Sequence, residues 1–244
     1  MVKIGTVKSY QETRRDLLDR KGVSYFRGEW LQTTKDEIFS PTVFLIGLSP
    51  GMVLDTHFHR QDQFQFFTEG KGSLGPHVLE PGSVHYVNGY TGYGPMIAGP
   101  EGLSYLTIRC INESGALYIP DDMDKMVRRP KCQKVGITEL RRDLNSEDDS
   151  GFETVFSSEN SSMSAKVFNL GPSSSIMGPD PAGHGQYCIV LDGSLNHEGQ
   201  ELKNWEHVFV GGDDAEAYTI NSGKEGLRVL VLQFPEPWYP DKPV

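Results

Sequence analysis

Apolar residues in this chain fall into short runs that either alternate with polar residues or continue unbroken, and Gly and Pro interrupt them at Pro50-Gly51, Gly70-Lys71-Gly72 and Pro81-Gly82. A period of two between close turn signals predicts strands, because successive strand side chains point to opposite faces. Two stretches read as helical, a short one from Glu12 to Arg20 and a weaker one from Thr138 to Leu144. The pattern therefore predicts an all-β chain of small antiparallel sandwiches or barrels with short flanking helices.

The second half repeats the first. Gln63 to Gly70 falls on Gln186 to Gly193, and the same shift carries His85-Tyr86-Val87 onto Val208-Phe209-Val210. With one residue inserted, Gly102 to Ile108 meets Gly226 to Leu232, and Val43-Phe44 has an echo in Val167-Phe168. A match that keeps register across a hairpin, a second strand and a closing strand is read as a duplicated unit. The expected organisation is an extension over residues 1–36, a first barrel over 37–111, a connector with a short helix over 112–150 and a second barrel over 151–244. The boundary is placed in the charged, linker-like stretch Glu147-Asp148-Asp149-Ser150.

Composition narrows the classes. The 244 residues suit two small domains, and 27 Gly with 15 Pro without a repeat period suit many strands joined by turns. A net charge of −10 with scattered Lys and Arg argues against nucleic acid and anionic membranes as partners. Three cysteines, Cys110, Cys132 and Cys188, show no paired spacing, so neither a disulfide framework nor a zinc ribbon is expected, and a reducing, cytoplasmic setting is. The N-terminus has no apolar signal core and no window suits a membrane helix, so a soluble, unprocessed chain is expected. Nucleotide-binding, serine-hydrolase and helical zinc-peptidase motifs are missing.

The candidate chemistry lies between Gly51 and Gly70. His57 and His59 are alternate residues on a predicted strand, so both rings face the same side, and a metal ion needs that convergence. Gly51, His57, His59, Gln63 and Gly70, followed by the Pro81-Gly82 turn, resemble the first cupin motif, G-x5-H-x-H-x3,4-E-x6-G, with Gln63 in place of its acid. The chain is thus similar to bicupins, tandem double-stranded β-helix (jelly-roll) barrels. That resemblance implies a mononuclear divalent transition metal, iron first and nickel, manganese or zinc as alternatives, held by His57, His59 and Gln63. It places Tyr93 where cupins carry a third histidine and implies homodimers. In the second copy Asp180 and Ala182 stand at the histidine positions and Glu216 opposite Tyr93, with only Gln186 kept and His184 nearby, so no metal and a structural duty are expected there.

Gln65 shares a face with Gln63, which suggests a wall of neutral donors and acceptors for an oxygenated ligand. Phe66 and Tyr90 are candidate substrate contacts, Arg60 and Arg109 candidate anchors for a carboxylate, and His85, with His77 behind it, a reserve imidazole. Two functions remain open. One is a metal-dependent enzyme acting on a small organic molecule, with Gln63 and Tyr93 completing the shell and a lean toward dioxygenase chemistry. The other is a metal-free pocket, non-catalytic or moving protons with His and Tyr as isomerases and lyases do.

Overall fold

The computed structural model describes residues 1–33, 40–113, 115–144, 151–212 and 217–238. The chain opens with β1 (Val2–Gly5), helix α1 (Val7–Thr13), β2 (Arg15–Leu18), β3 (Ser24–Leu31), β4 (Thr42–Leu48), β5 (Val53–Leu54) and β6 (His57–Phe58). It continues through β7 (Gln63–Leu74), β8 (His77–Leu79), β9 (Ser83–Val87), β10 (Met96–Arg109), β11 (Leu117–Tyr118), a single 3-10 turn at Met123–Lys125 and β12 (Gln133–Ile137). The second half holds β13 (Phe152–Ser157), β14 (Ser164–Leu170), β15 (Ser175–Met177), β16 (Gln186–His197), β17 (Gln200–Leu202), β18 (His207–Val210) and β19 (Thr219–Gln233).

Two compact units result. One gathers Lys8–Ile137 with Trp238, and its sheet runs β12-β9-β7-β10-β4-β3-β2 with β5 on β10 and β8 on β7. The other gathers Met1–Val7 with Thr138–Pro237, and its sheet runs β1-β18-β16-β19-β14-β13 with β15 on β19 and β17 on β16. The division falls between Ile137 and Thr138, and the extension expected over residues 1–36 is itself divided, Met1–Val7 grouping with the second barrel and the residues from Lys8 with the first. The Glu147–Ser150 boundary itself lies outside the described residues, as does Glu216.

The duplication is visible in the register. Gln63 pairs with Val87 as Gln186 pairs with Val210, and Phe64 with Ile108 as Tyr187 with Leu232. At Gly70 and Gly193, both with positive φ, an added Cβ would lie 2.2 Å from the carbonyl oxygen of Gly102 and Gly226 respectively, so each copy keeps the same close backbone crossing. One expected correspondence shifts. Val43 pairs with Ile108 and Ala165 with Leu232, so Val43-Phe44 corresponds to Ala165-Lys166 rather than to Val167-Phe168. A slip of two residues preserves which face is buried, and an apolar run cannot distinguish the two alignments.

The helical expectations also change. The Glu12–Arg20 candidate becomes the end of α1 and the strand β2, because pairing with β3 from Arg15–Arg27 to Leu18–Ser24 satisfies that backbone in the sheet. The described residues Thr138 to Leu144 form no helix. Each unit has its own apolar core, around Phe67, Leu74, Met96 and Leu103 in the first and Val190, Val208, Val229 and Val231 in the second.

Candidate functional site

The first unit encloses a cavity of about 280 Å³. Its floor is one face of the sheet: alternation along β10 turns Tyr105, Thr107 and Arg109 inward, and register places Thr107 between Gln65 and Phe44 and Tyr105 beside Ile46. Histidines 57 and 59 and Tyr93 form another wall, and Gly115, Ala116 and Tyr118 of the connector come in from the side. Arg20, paired with Asp55 at 2.8 Å and Asp121 at 2.9 Å, stands over the Tyr118 ring at the lining's outer part.

His57 is buried, its Nδ1 2.7 Å from the Asp55 carbonyl oxygen. A carbonyl can only accept, so Nδ1 donates and Nε2 carries the lone pair. The Tyr93 hydroxyl donates to that Nε2 at 2.8 Å and itself accepts the Gln63 amide N–H at 2.6 Å. Burial, with the His59 and Arg109 charges adding to it, lowers the His57 pKa to about 3, so the ring is neutral at neutral pH. Burial also pushes the Tyr93 phenol up, against the Arg109 charge and the Gln63 hydrogen bond, both of which favour its ionised form.

Arg109 is the buried cation of a lining that also holds the more exposed Arg20 and Arg27. It is buried, and its Nε and Nη2 donate to Gln63 Oε1 at 3.1 and 2.8 Å. Nη2 is also 3.2 Å from both ring nitrogens of His59. An atom equidistant from two nitrogens whose lone-pair directions diverge lies over the ring face, so this is a stacked contact. Glu113, in the connector, balances the charge: its Oε1 is 2.5 Å from His59 Nδ1 and 3.5 Å from Arg109 Nη1, and its Oε2 accepts the Arg60 backbone N–H at 2.9 Å. Burial pushes the Glu113 carboxyl up, but the His59 ring and Arg109 more than offset it and hold the pKa below the usual value. Burial and the Arg109 charge bring His59 down to about 4.

The cavity thus brings together His57, His59, Gln63, Gln65, Tyr93 and Arg109. The other candidates lie outside its lining. Phe66 is on the opposite face of β7 from Gln65, and Arg60 is exposed. Tyr90 packs against Phe58 and Trp238 instead, and His77 is exposed. His85 sits behind the wall, where its Nδ1 donates to Gln65 Oε1 at 2.7 Å and so turns the Gln65 amide N–H₂ away from it. Sequence reasoning missed Glu113, an acid four residues beyond the strand-end Arg109, and it missed Tyr105 and Thr107, whose spacing with Arg109 was readable.

The residues present do not fit the metal implied by the cupin resemblance. Among the described residues no three His, Cys, Asp or Glu side chains converge for an ion. The Gln63 oxygen is occupied by Arg109, Glu113 touches His59 from behind, and Tyr93 covers His57 Nε2. Two imidazoles remain, next to a guanidinium that a dication would meet at a cost of roughly 4 kcal/mol per unit charge at ~4 Å and an effective dielectric constant near 20.

No protein-family model matches the sequence, and no curated protein matches it. Solved structures do. A candidate dioxygenase from Nostoc punctiforme PCC 73102 superposes with a TM-score of 0.61 over 95% of this chain and 82% of its own, at 11% identity. The chain has the bicupin fold. The bacterial pirin YhhW of Escherichia coli, in complex with nickel(II), gives 0.57 over 97% of this chain and all of its own at 11% identity. A deletion mutant of the oxalate decarboxylase OxdC of Bacillus subtilis gives 0.57 over 93% and 76% at 13%. At such identities the bicupin likeness is one of fold alone.

The duplicate of the site keeps only the glutamine, Gln186 at the place of Gln63, and differs at the histidine and arginine positions. Asp180 is exposed, and Gln233, at the place of Arg109, has its amide nitrogen 2.6 Å from the Ala182 carbonyl and 2.8 Å from that of Phe234. Gln186 donates to the Pro179 carbonyl at 3.0 Å.

Proposed function

We propose that the first barrel receives a small organic anion on Arg109 and moves a proton to or from it through Tyr93, which His57 orients, without a resident metal. The observation that carries this reading is a buried guanidinium lining a cavity, with Glu113 as the acid that faces it. An anionic group beside Arg109 recovers Coulomb energy that a neutral ligand cannot, and the cavity volume is close to the lower end of small-molecule sites, ~300 Å³. Tyr93 is the proton donor. A phenolate formed there keeps the Gln63 N–H and gains the nearby Arg109 charge, while the neutral His57 Nε2 accepts from the hydroxyl and orients it, and solvent returns the proton after transfer.

Calorimetric titration of small carboxylates tests it. Binding at micromolar to millimolar level that Arg109→Gln removes supports the reading. Binding that survives in Arg109→Gln, or no binding by any carboxylate, overturns it.

A second reading, a mononuclear metal enzyme such as a dioxygenase, is favoured by one observation. Nδ1 of His57 meets the Asp55 carbonyl oxygen, which leaves its Nε2 as the lone-pair nitrogen, the tautomer that a ligating histidine needs. Elemental analysis of protein purified without chelator separates the two. Metal near one per chain that is lost in the double variant His57→Ala, His59→Ala favours the metal enzyme.

A further inference from the structure

Two hydroxyls open on the cavity. Tyr105 and Thr107 are buried, 3% exposed each, and line the cavity, yet among the described residues neither hydroxyl makes a hydrogen bond. The residues are buried but their oxygens open on the cavity, so a partner for either hydroxyl has to come from what the cavity holds. The chain supplies its own control. In the duplicate, β19 carries Val229, Val231 and Gln233 where β10 carries Tyr105, Thr107 and Arg109, and both valines are fully packed in the core. The same strand face is therefore stable as plain hydrocarbon, and the fold does not require a phenol and an alcohol there. Packing alone does not account for them.

We propose that Tyr105 and Thr107 form a second subsite, which recognises an uncharged oxygen of a carboxylate bound on Arg109; this rests on the anion reading above. Thr107 and Tyr105 are two and four residues from Arg109 along one strand face, ~7 and ~13 Å at a rise of ~3.3 Å per residue. Phe44, Ile46 and Met52 line the same cavity with hydrocarbon. The ligand class that matches is an elongated monocarboxylate with an apolar middle and a hydroxyl or carbonyl oxygen toward its other end. The Tyr105 phenol remains protonated, since burial and the neighbouring Tyr93, Tyr118 and Tyr25 phenols push it up, so it offers that oxygen a donor.

The test compares three pairs that differ by one hydroxyl: para-hydroxybenzoate against benzoate, para-hydroxyphenylpropanoate against phenylpropanoate, and omega-hydroxyhexanoate against hexanoate. Each is titrated calorimetrically into the wild-type chain, Arg109→Gln, and the double variant Tyr105→Phe, Thr107→Val. The double variant keeps the Tyr105 ring on Phe67 and adopts at Thr107 the residue the duplicate carries at Val231, so it retains the packing of the floor. In the wild-type chain the hydroxylated member of at least one pair binds about three- to tenfold tighter, the usual return on a neutral hydrogen bond, and the double variant brings that ratio to near one. Equal binding within every pair, or a ratio that survives in the double variant, overturns the subsite while leaving the Arg109 reading intact. Failure of all six acids to bind, or binding that Arg109→Gln does not weaken, defeats the anion reading and the subsite with it.

Discussion

At the scale of single residues the site is a balance of one buried cation against one buried carboxylate. Arg109 and Glu113 side chains are 4% and 7% exposed, and neither is stable in that setting without the other. Glu113→Ala is expected to destabilise the protein by about 3–5 kcal/mol, since it leaves a guanidinium buried opposite a neutral gap. Arg109→Met in the same chain should return much of that loss, so urea unfolding of the two single variants and the double variant should show strong non-additivity. Additive losses would mean that the two charges do not interact. Tyr93→Phe leaves His57 Nε2 and the Gln63 amide without their shared partner and should cost about 1–3 kcal/mol, with loss of any proton-transfer activity under saturating ligand. How much of this the sequence disclosed depends on where each residue sits. His57, His59 and Gln63 were readable because the motif has fixed spacing and a strand has a period of two. Glu113 was not, because it reaches the site from a connector whose path no periodicity describes.

At the scale of elements, the two copies keep what the backbone demands and differ in what the side chains do. The paired glycines Gly70–Gly102 and Gly193–Gly226 and the β7 and β16 registers are common to both, while the floor strand is polar in one and aliphatic in the other. The repeat was legible along β7, β9 and β10 because a glycine or an aromatic anchors each match. It slipped by two residues at β4, where only hydrophobicity guided it. The assignment of β1 was beyond sequence pattern altogether: four residues, Val2 to Gly5, pair antiparallel with Val210 to His207 and extend the second sheet. That pairing depends on a close approach. A Cβ on Gly5 would lie 2.0 Å from His207 Nε2, so the strand can cover the imidazole only if it carries no side chain there. Gly5→Val is expected to detach β1 and lower stability by several kcal/mol, in the range of other overpacked sites, ~1–3, plus the lost ladder. Hydrogen exchange should then show the β18 amides losing protection while those of β7 and β10 keep theirs. Unchanged protection in β18 would count against the close approach.

At the scale of the whole molecule, buried imidazoles make the fold sensitive to acid. His85 and His207 lie outside the proposed chemistry, one in each unit, and both are fully buried. Burial is the main cause that brings His85 to about 3 and His207 to about 4, against an ordinary value of 6.5. For a base, a folded pKa below the unfolded one means that the unfolded chain binds the proton first. The two groups therefore cost nothing above pH ~6.5, where both states are neutral, and the cost grows as the pH falls, levelling off only below about 4 for His207 and about 3 for His85. Each contributes a slope of about 1.4 kcal/mol per pH unit through that window, so two together remove about 3 kcal/mol per unit, a large fraction of a typical stability of ~5–15 kcal/mol. Carboxylates held below their usual range, Glu113 and Asp55 among them, add to the loss only at lower pH, because their stabilisation persists until the pH falls toward the unfolded carboxylate range, ~4. The urea midpoint should therefore decline from pH 6.5 to 4.5, before the carboxylates titrate, and the decline should be shallower in His207→Gln. A midpoint that stays flat down to pH 5 would show that these imidazoles titrate alike in the folded and unfolded chain, and so are not sequestered from water.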